Sequence, residues 1–176
     1  MLNKAVDDIN KGKIPDLNNP LKEVAKEINL HCSAIIPETY LPDVHHRLIF
    51  YKRLANAKNM NEIHALQIEM IDRFGPLPDV SKRLFVISQL KLNCELHGMQ
   101  TVEIGEERGK VVFADTTDIN PLAIVKLVQE DSSNYQFEGT STLITAHNLN
   151  SFEDRAQFLE ELIHKLTHSS PEGPHA

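Results

Sequence analysis

The side chains able to do chemistry occur in small, scattered groups. Glu69 and Asp72, within the run of residues 59–78, have the types of a general-acid pair or of half a metal site, but neither role has a supporting set of ligands around it. His164 and His168 stand one helical turn apart with Glu161 a turn earlier, a possible two- or three-ligand metal edge; histidines on the outer side of a helix are more commonly solvated. In the pairs His31-Cys32 and His45-His46, adjacent side chains point different ways along a strand or helix. A thiol nucleophile from Cys32 or Cys94 needs a histidine close in space, and Cys94 falls on an apolar stripe and reads as core. Gly12-Lys13 lacks the earlier glycine and the following hydroxyl of a phosphate-binding loop, and Gly105 and Gly109 lie in a hairpin instead of opening a helix. What is left is a surface. At about 100° per residue, Glu62, Glu69, Asp72 and Arg73 share one strip of a helix, with Ala65 and Ile68 near the same outer side. Such a strip can dock a partner, or it can be an ordinary solvated face carrying weak ion pairs.

The helix that carries the strip is well delimited. Ile63, Leu66, Met70 and Phe74 recur at helical spacing, Asn59 and Glu62 have the spacing of a capping box, and Gly75-Pro76 is a stop. Around it, residues 2–11 read as a short helix and residues 13–20 as a linker, with a new domain starting near residue 21. Residues 23–35 show partial alternation and are expected as a strand. Asp43 should cap a helix burying Val44, Leu48, Tyr51 and Ala55, and residues 79–97 a third helix burying Val80, Leu84, Ile87, Leu90 and Cys94, with Gly98 at its end and His97 near its negative pole.

The period then changes. Residues 101–104 and 111–114 read as two strands around a turn in which Gly109 takes positive φ. Asn120-Pro121 opens a helix with Leu122, Val125 and Val128 inward, residues 135–137 and 143–145 form a second strand pair around Gly139, and residues 151–167 close the domain through Phe152, Ala156, Leu159, Ile163 and Leu166. Residues 169–176 read as a disordered tail. The expected class is α+β, a helical half packed with a small, largely antiparallel sheet half.

Composition narrows the function. A chain of 176 residues with 41% hydrophobic residues can bury a real core. A formal charge of −7, with lysines and arginines scattered singly, speaks against a dedicated nucleic-acid surface. With no membrane-length apolar run and no signal-peptide pattern, the expected location is cytoplasmic, and two cysteines fit a reducing compartment.

Longer blocks carry more. The run from Ile35 to Val44 (Ile-Ile-Pro-Glu-Thr-Tyr-Leu-Pro-Asp-Val), then Arg47-Leu48, Tyr51-Lys52-Arg53, and the run from Glu69 to Pro78 (Glu-Met-Ile-Asp-Arg-Phe-Gly-Pro-Leu-Pro), together resemble the carboxy-terminal domain of bacterial transcription-repair coupling factors, the Mfd family. The likeness continues through Leu84, Leu90 and His97-Gly98, and more weakly through Val111-Val112-Phe113 and Asn120-Pro121, so that it covers nearly the whole chain; His45-His46 and the closing helix depart from it. The resemblance implies a fragment of a longer protein bearing a UvrB-like module, an RNA-polymerase-binding domain and an ATP-driven DNA translocase, none of whose motifs stand here. It implies a helix and linker from the translocase over residues 1–20 and a regulatory domain over residues 21–168. It further implies a non-catalytic, autoinhibitory role: docking on the UvrB-like module and masking its UvrA-recruiting surface until stalled polymerase is engaged. Glu69, Asp72 and Arg73 match the family's Glu-x-x-Asp-Arg block and are the implied partner-binding residues; no cofactor, metal, membrane or direct nucleic-acid contact is implied. The alternatives are a nucleic-acid-binding accessory domain and a small metal-dependent hydrolase.

Overall fold

A computed structural model describes residues 28–168, and the expected helix at 2–11, the linker at 13–20 and the tail at 169–176 lie outside the described residues. The elements run β1 (Ile28–Asn29), α1 (Val44–Ala55), α2 (Met60–Phe74), α3 (Asp79–Leu96), β2 (Met99–Ile104), β3 (Arg108–Phe113), α4 (Pro121–Glu130), β4 (Tyr135–Glu138), β5 (Thr142–Ala146) and α5 (Phe152–His168). The sheet order is β1-β2-β3-β5-β4, with β1 parallel to β2 and every other pair antiparallel. The class is α+β, as the sequence leads one to expect.

Two hydrophobic cores correspond to the two halves. The first gathers Ile36, Leu41, Phe50, Leu54, Ile63, Leu66, Met70 and Leu77 between α1, α2 and the chain leading to them. The second lies between the sheet and α4 and α5, with Val102, Ile104, Val111, Leu143, Ile124, Leu159 and Leu162 at its centre. Helix α3 serves both: Leu84 and Phe85 enter the helical core, and Leu90 and Cys94 the sheet core. Its 18 residues span about 27 Å at 1.5 Å each, long enough to run the length of both.

Local chemistry explains most boundaries. Asp43 accepts hydrogen bonds from the N–H groups of His45 and His46 at the start of α1, and Asn120 accepts from Leu122 ahead of α4, with Pro121 in the first turn. The loop before α1 is stiffened by Arg47, whose Nη1 donates to the carbonyls of Leu41 at 2.7 Å and Pro42 at 3.0 Å. Ile36 N–H donates to the Tyr51 hydroxyl at 2.7 Å, fastening the same loop to α1.

Four expectations fail. The strand expected over residues 23–35 is two residues long among the described residues, because the chain leaves the sheet at Leu30 and turns at His31 with φ 52°. Residues 23–27 lie outside the described residues. Helix α1 buries Phe50, Tyr51 and Leu54, while Val44 is 49% exposed and Leu48 and Ala55 are half-buried. Helix α4 is rotated from the expected face: Ala123, Ile124 and Leu127 are inward, and Leu122 and Val125 face out. Gly109 is not a turn residue but lies within β3, and positive φ belongs to Gly75, Gly98 and Gly139. Glycine is needed at 109 for space, since a Cβ there would sit 2.5 Å from Thr145 Oγ1 and 2.8 Å from Ile104 Cδ1.

Candidate functional site

Helix α2 is fixed at both ends by hydrogen bonds from its own chain. Asn59 Oδ1 accepts from Glu62 N–H at 2.9 Å while Glu62 Oε2 accepts from Lys58 N–H at 2.8 Å, a variant of the capping box in which the acid reaches the residue before the N-cap and Asn replaces Ser or Thr. At the far end, Gly75 takes φ 90° and its N–H bonds the Ile71 carbonyl. The Tyr40 hydroxyl reaches the Gly75 carbonyl at 2.7 Å and the Met70 carbonyl at 3.1 Å, tying the chain before α1 to the end of α2. Burial pushes the Tyr40 phenol up from its ordinary pKa, so it stays a donor. Ile63, Leu66 and Met70 are buried as the stripe requires, and half-buried Phe74 meets Tyr40 and Phe50 edge-on at 6.0 and 5.9 Å between ring centroids.

The outer face of α2 is organised around Glu69. Its Oε2 lies 2.7 Å from Arg53 Nη1 on α1, and its Oε1 3.4 Å from Arg73 Nη1 one turn on. Both guanidinium groups stack on Phe50, at 5.5 and 5.6 Å from its centroid, and Arg73 also lies 5.0 Å from that of Phe74. Carboxylate, two arginines and two rings form one cluster bridging α1 and α2. Asp72 is exposed beside it and makes no ion pair with another described residue. Ile68, one turn from Asp72, is 47% exposed. A groove of ≈ 540 Å³ runs between α1 and α2, with Ile49, Ala65 and Leu66 along it and Lys52, Arg53, Glu62 and Glu69 among its rim.

Of the residues singled out from the sequence, Glu69, Asp72 and Arg73 do share one surface. Glu62 does not join them as a free charge, since the cap occupies it. Arg53 and Phe50 were missed as members of the cluster; the Tyr51-Lys52-Arg53 block contained the arginine, but the contact between helices is not visible in one helix's periodicity.

The other candidates come apart in space. Cys94 is buried in the sheet core and its thiol is pushed up to about 12 by burial, with Glu95 adding to the shift, so it is no thiolate nucleophile. Cys32 Sγ lies 3.3 Å from Arg155 Nη1. His164 and His168 stack on each other at 4.1 Å between centroids, His45 and His46 flank the Asp43 cap, and His31 Nε2 meets Glu103 Oε1 at 2.7 Å. Among the described residues no group of three or more His, Cys, Asp or Glu is placed to hold a metal ion. No helix among them is long and apolar enough to cross a membrane.

The fold and the site define an α+β domain with a charged cluster on the outer face of α2, beside the groove it shares with α1. A family model described as the TRCF domain matches residues 30–124, and the chain belongs to the transcription-repair coupling factor family. It is 32% identical over 166 residues to the transcription-repair-coupling factor of Escherichia coli (strain K12), covering 94% of this chain and 14% of that protein. The counterpart from Haemophilus influenzae gives 32% identity with the same coverage, and that of Buchnera aphidicola subsp. Acyrthosiphon pisum 36% over 144 residues, covering 82% of this chain and 18% of that one. The chain thus spans a seventh to a fifth of the length of these relatives. A crystal structure of the C-terminal domain of transcription-repair coupling factor matches with a TM-score of 0.63 at 23% identity, covering 81% of this chain and 94% of that one, which establishes the likeness of fold.

Proposed function

We propose that this chain is a non-catalytic, autoinhibitory domain of a coupling factor, and that the outer face of α2 with the adjoining end of α1 docks on a UvrB-like module of the same protein. Docking masks the surface that recruits UvrA until a stalled RNA polymerase is engaged. The supporting observation is the Glu69 cluster: its carboxylate is held in place by Arg53 and Arg73, while Asp72 beside it has no ion-pair partner among the described residues and Ile68 is uncovered. A fixed carboxylate, a free one and an uncovered isoleucine on one helix face suit a partner surface that offers a cation next to an apolar group. The same reading makes residues 21–168 the regulatory domain, residues 1–20 its connection to the translocase, and the cytoplasm its location.

The test uses the full-length parent. Asp72→Lys is the cleaner variant, because Glu69→Lys sets a third cation beside Arg53 and Arg73 and disturbs the cluster itself. Loss of one partner from a desolvated charged contact costs about 2–5 kcal/mol, and a tenfold population shift needs about 1.4 kcal/mol. Asp72→Lys, and more strongly the double variant with Glu69→Lys, should therefore raise UvrA affinity in the absence of polymerase, with added salt mimicking part of the effect. Folded variants that bind UvrA like the wild type at every salt concentration would place the latch elsewhere.

A further inference from the structure

Helix α4 is apolar on two sides. Ala123, Ile124 and Leu127 enter the core, while Leu122 and Val125, 66% and 47% exposed, lie on a side the core does not cover. Lys126, Gln129 and Glu130 supply its solvated side, so the exposed Leu122 and Val125 add an apolar stripe beyond the one the core uses. Between the Val125 edge of that side and the end of the sheet lies a pocket of ≈ 560 Å³, with Phe113, Ile119, Ile124, Val125, Val128 and Phe137 among its lining; Leu122 stands outside it. The volume falls within the range of pockets that take small ligands or anchoring side chains, about 300–1,000 Å³.

Two polar features stand at its edge. Among the described residues Asp115 is the one charged residue lining the pocket, and no ion pair joins it to another of them. Among the described residues strand β4 is the last strand of the sheet and pairs only with β5. Ala146 N–H donates to the Asn134 carbonyl, so the alternation of an antiparallel ladder turns the N–H and C=O of Phe137 away from β5. Tyr135 N–H, turned the same way, is taken by the Asp131 carbonyl. An apolar pocket, an uncompensated carboxylate and an outward backbone pair thus converge at Phe137.

We propose that this α4–β4 pocket is a second docking site, and that its occupant is an extended segment of a partner protein carrying an apolar anchor residue next to a lysine or arginine. The anchor fills the pocket, the cation pairs with Asp115, and the segment's backbone bonds that of Phe137 as an added strand. Charge decides the flank: the lining offers a carboxylate and no cation, so an acidic segment is repelled. The site belongs to the sheet core, apart from the α1–α2 groove, and does not rest on the autoinhibitory reading.

The experiment selects a displayed random-peptide library on the full 176-residue chain. The recovered peptides, synthesised with a fluorophore, are then titrated by anisotropy against wild type, Val125→Asp and Asp115→Lys, with each fold checked by circular dichroism. Expected are peptides with an apolar residue next to Lys or Arg, at least about tenfold weaker on Val125→Asp. On Asp115→Lys the preference should move toward peptides with Glu or Asp in that flank, and this surface variant still tests the pocket if Val125→Asp fails to fold. Recovery of no peptide sensitive to either substitution overturns the proposal, as does a preference for acidic flanks on the wild type. Concentration-dependent dimers in sedimentation that Val125→Asp dissociates also overturn it, by making a second copy of the chain the occupant.

Discussion

Arg155 shows what one residue can decide. Only 7% exposed, it donates from Nη1 to the carbonyls of Leu30 at 2.9 Å and His31 at 3.2 Å, and from Nε to Leu149 at 3.0 Å. Its charge is met by backbone oxygens, with no carboxylate in an ion pair among the described residues. Arg155→Met keeps most of the volume but leaves those carbonyls unpaired, at about 1–3 kcal/mol for each buried group. A urea titration should show a loss of more than about 2 kcal/mol, while Asp72→Ala stays within about 0.5 kcal/mol; equal losses would mean that Asp72 is not a free surface charge. The sequence contained a signal for this arginine, a cation beside Phe152, Ala156 and Leu159 on an apolar stripe. It did not contain the partners, because carbonyls 124 and 125 residues away are set only by the fold. The Glu69 cluster divides the same way: the shared strip is a property of one helix and was legible, whereas Arg53 and Phe50 enter from another helix.

Helices whose apolar residues keep to one side were legible as elements, and α2, α3 and α5 follow their expected spans closely. Helix α4 misled because Leu122 and Val125 are as apolar as Ile124 and Leu127, so periodicity does not distinguish its two faces. Strand β1 misled because pairing with β2, not alternation, sets its length. Within the sheet, Gly109 spaces β3 from β5: Thr145, fully buried, bonds His147 through Oγ1 at 3.1 Å, and His147 Nε2 in turn meets the Gly105 carbonyl at 3.0 Å. A methyl at 109 meets this hydroxyl, so Gly109→Ala should cost about 1–3 kcal/mol by overpacking, read as a shift in the denaturant midpoint. At α1, hydrogen bonds from His45 and His46 hold the Asp43 carboxyl below its ordinary value of 3.8, with the nearby histidine charges adding to the effect. Because the folded value is the lower one, the stabilisation is complete above the ordinary value and disappears as pH falls through the folded one. The stability difference between wild type and Asp43→Ala should thus be present at neutral pH and narrow in acid; a difference unchanged down to about pH 2 would assign the cap to the neutral carboxyl.

At the scale of the molecule, α3 contributes side chains to both cores, a sharing expected to couple their unfolding. Leu84→Ala and Leu90→Ala remove side chains from different cores, each at about 2–5 kcal/mol. Both variants should still lose protection in the two halves together when followed by hydrogen exchange, and an early loss confined to the half carrying the substitution would show the halves to be separable. The clamp of Arg155 on Leu30 also fixes a sequence of events during synthesis. The buried residues of the helical core lie within 34–85, with Ile87 and Leu92 packed against them, so all of them leave the ribosome well before α5, on which the sheet core depends. At about 5–20 residues per second, the 125 residues between Leu30 and Arg155 take on the order of ten seconds to make. For the latter part of that interval the inner faces of β2 and β3 have α3 against them through Leu90 and Cys94 but not yet α5, and the apolar side chains that α5 will cover stand open to water or to a neighbouring chain.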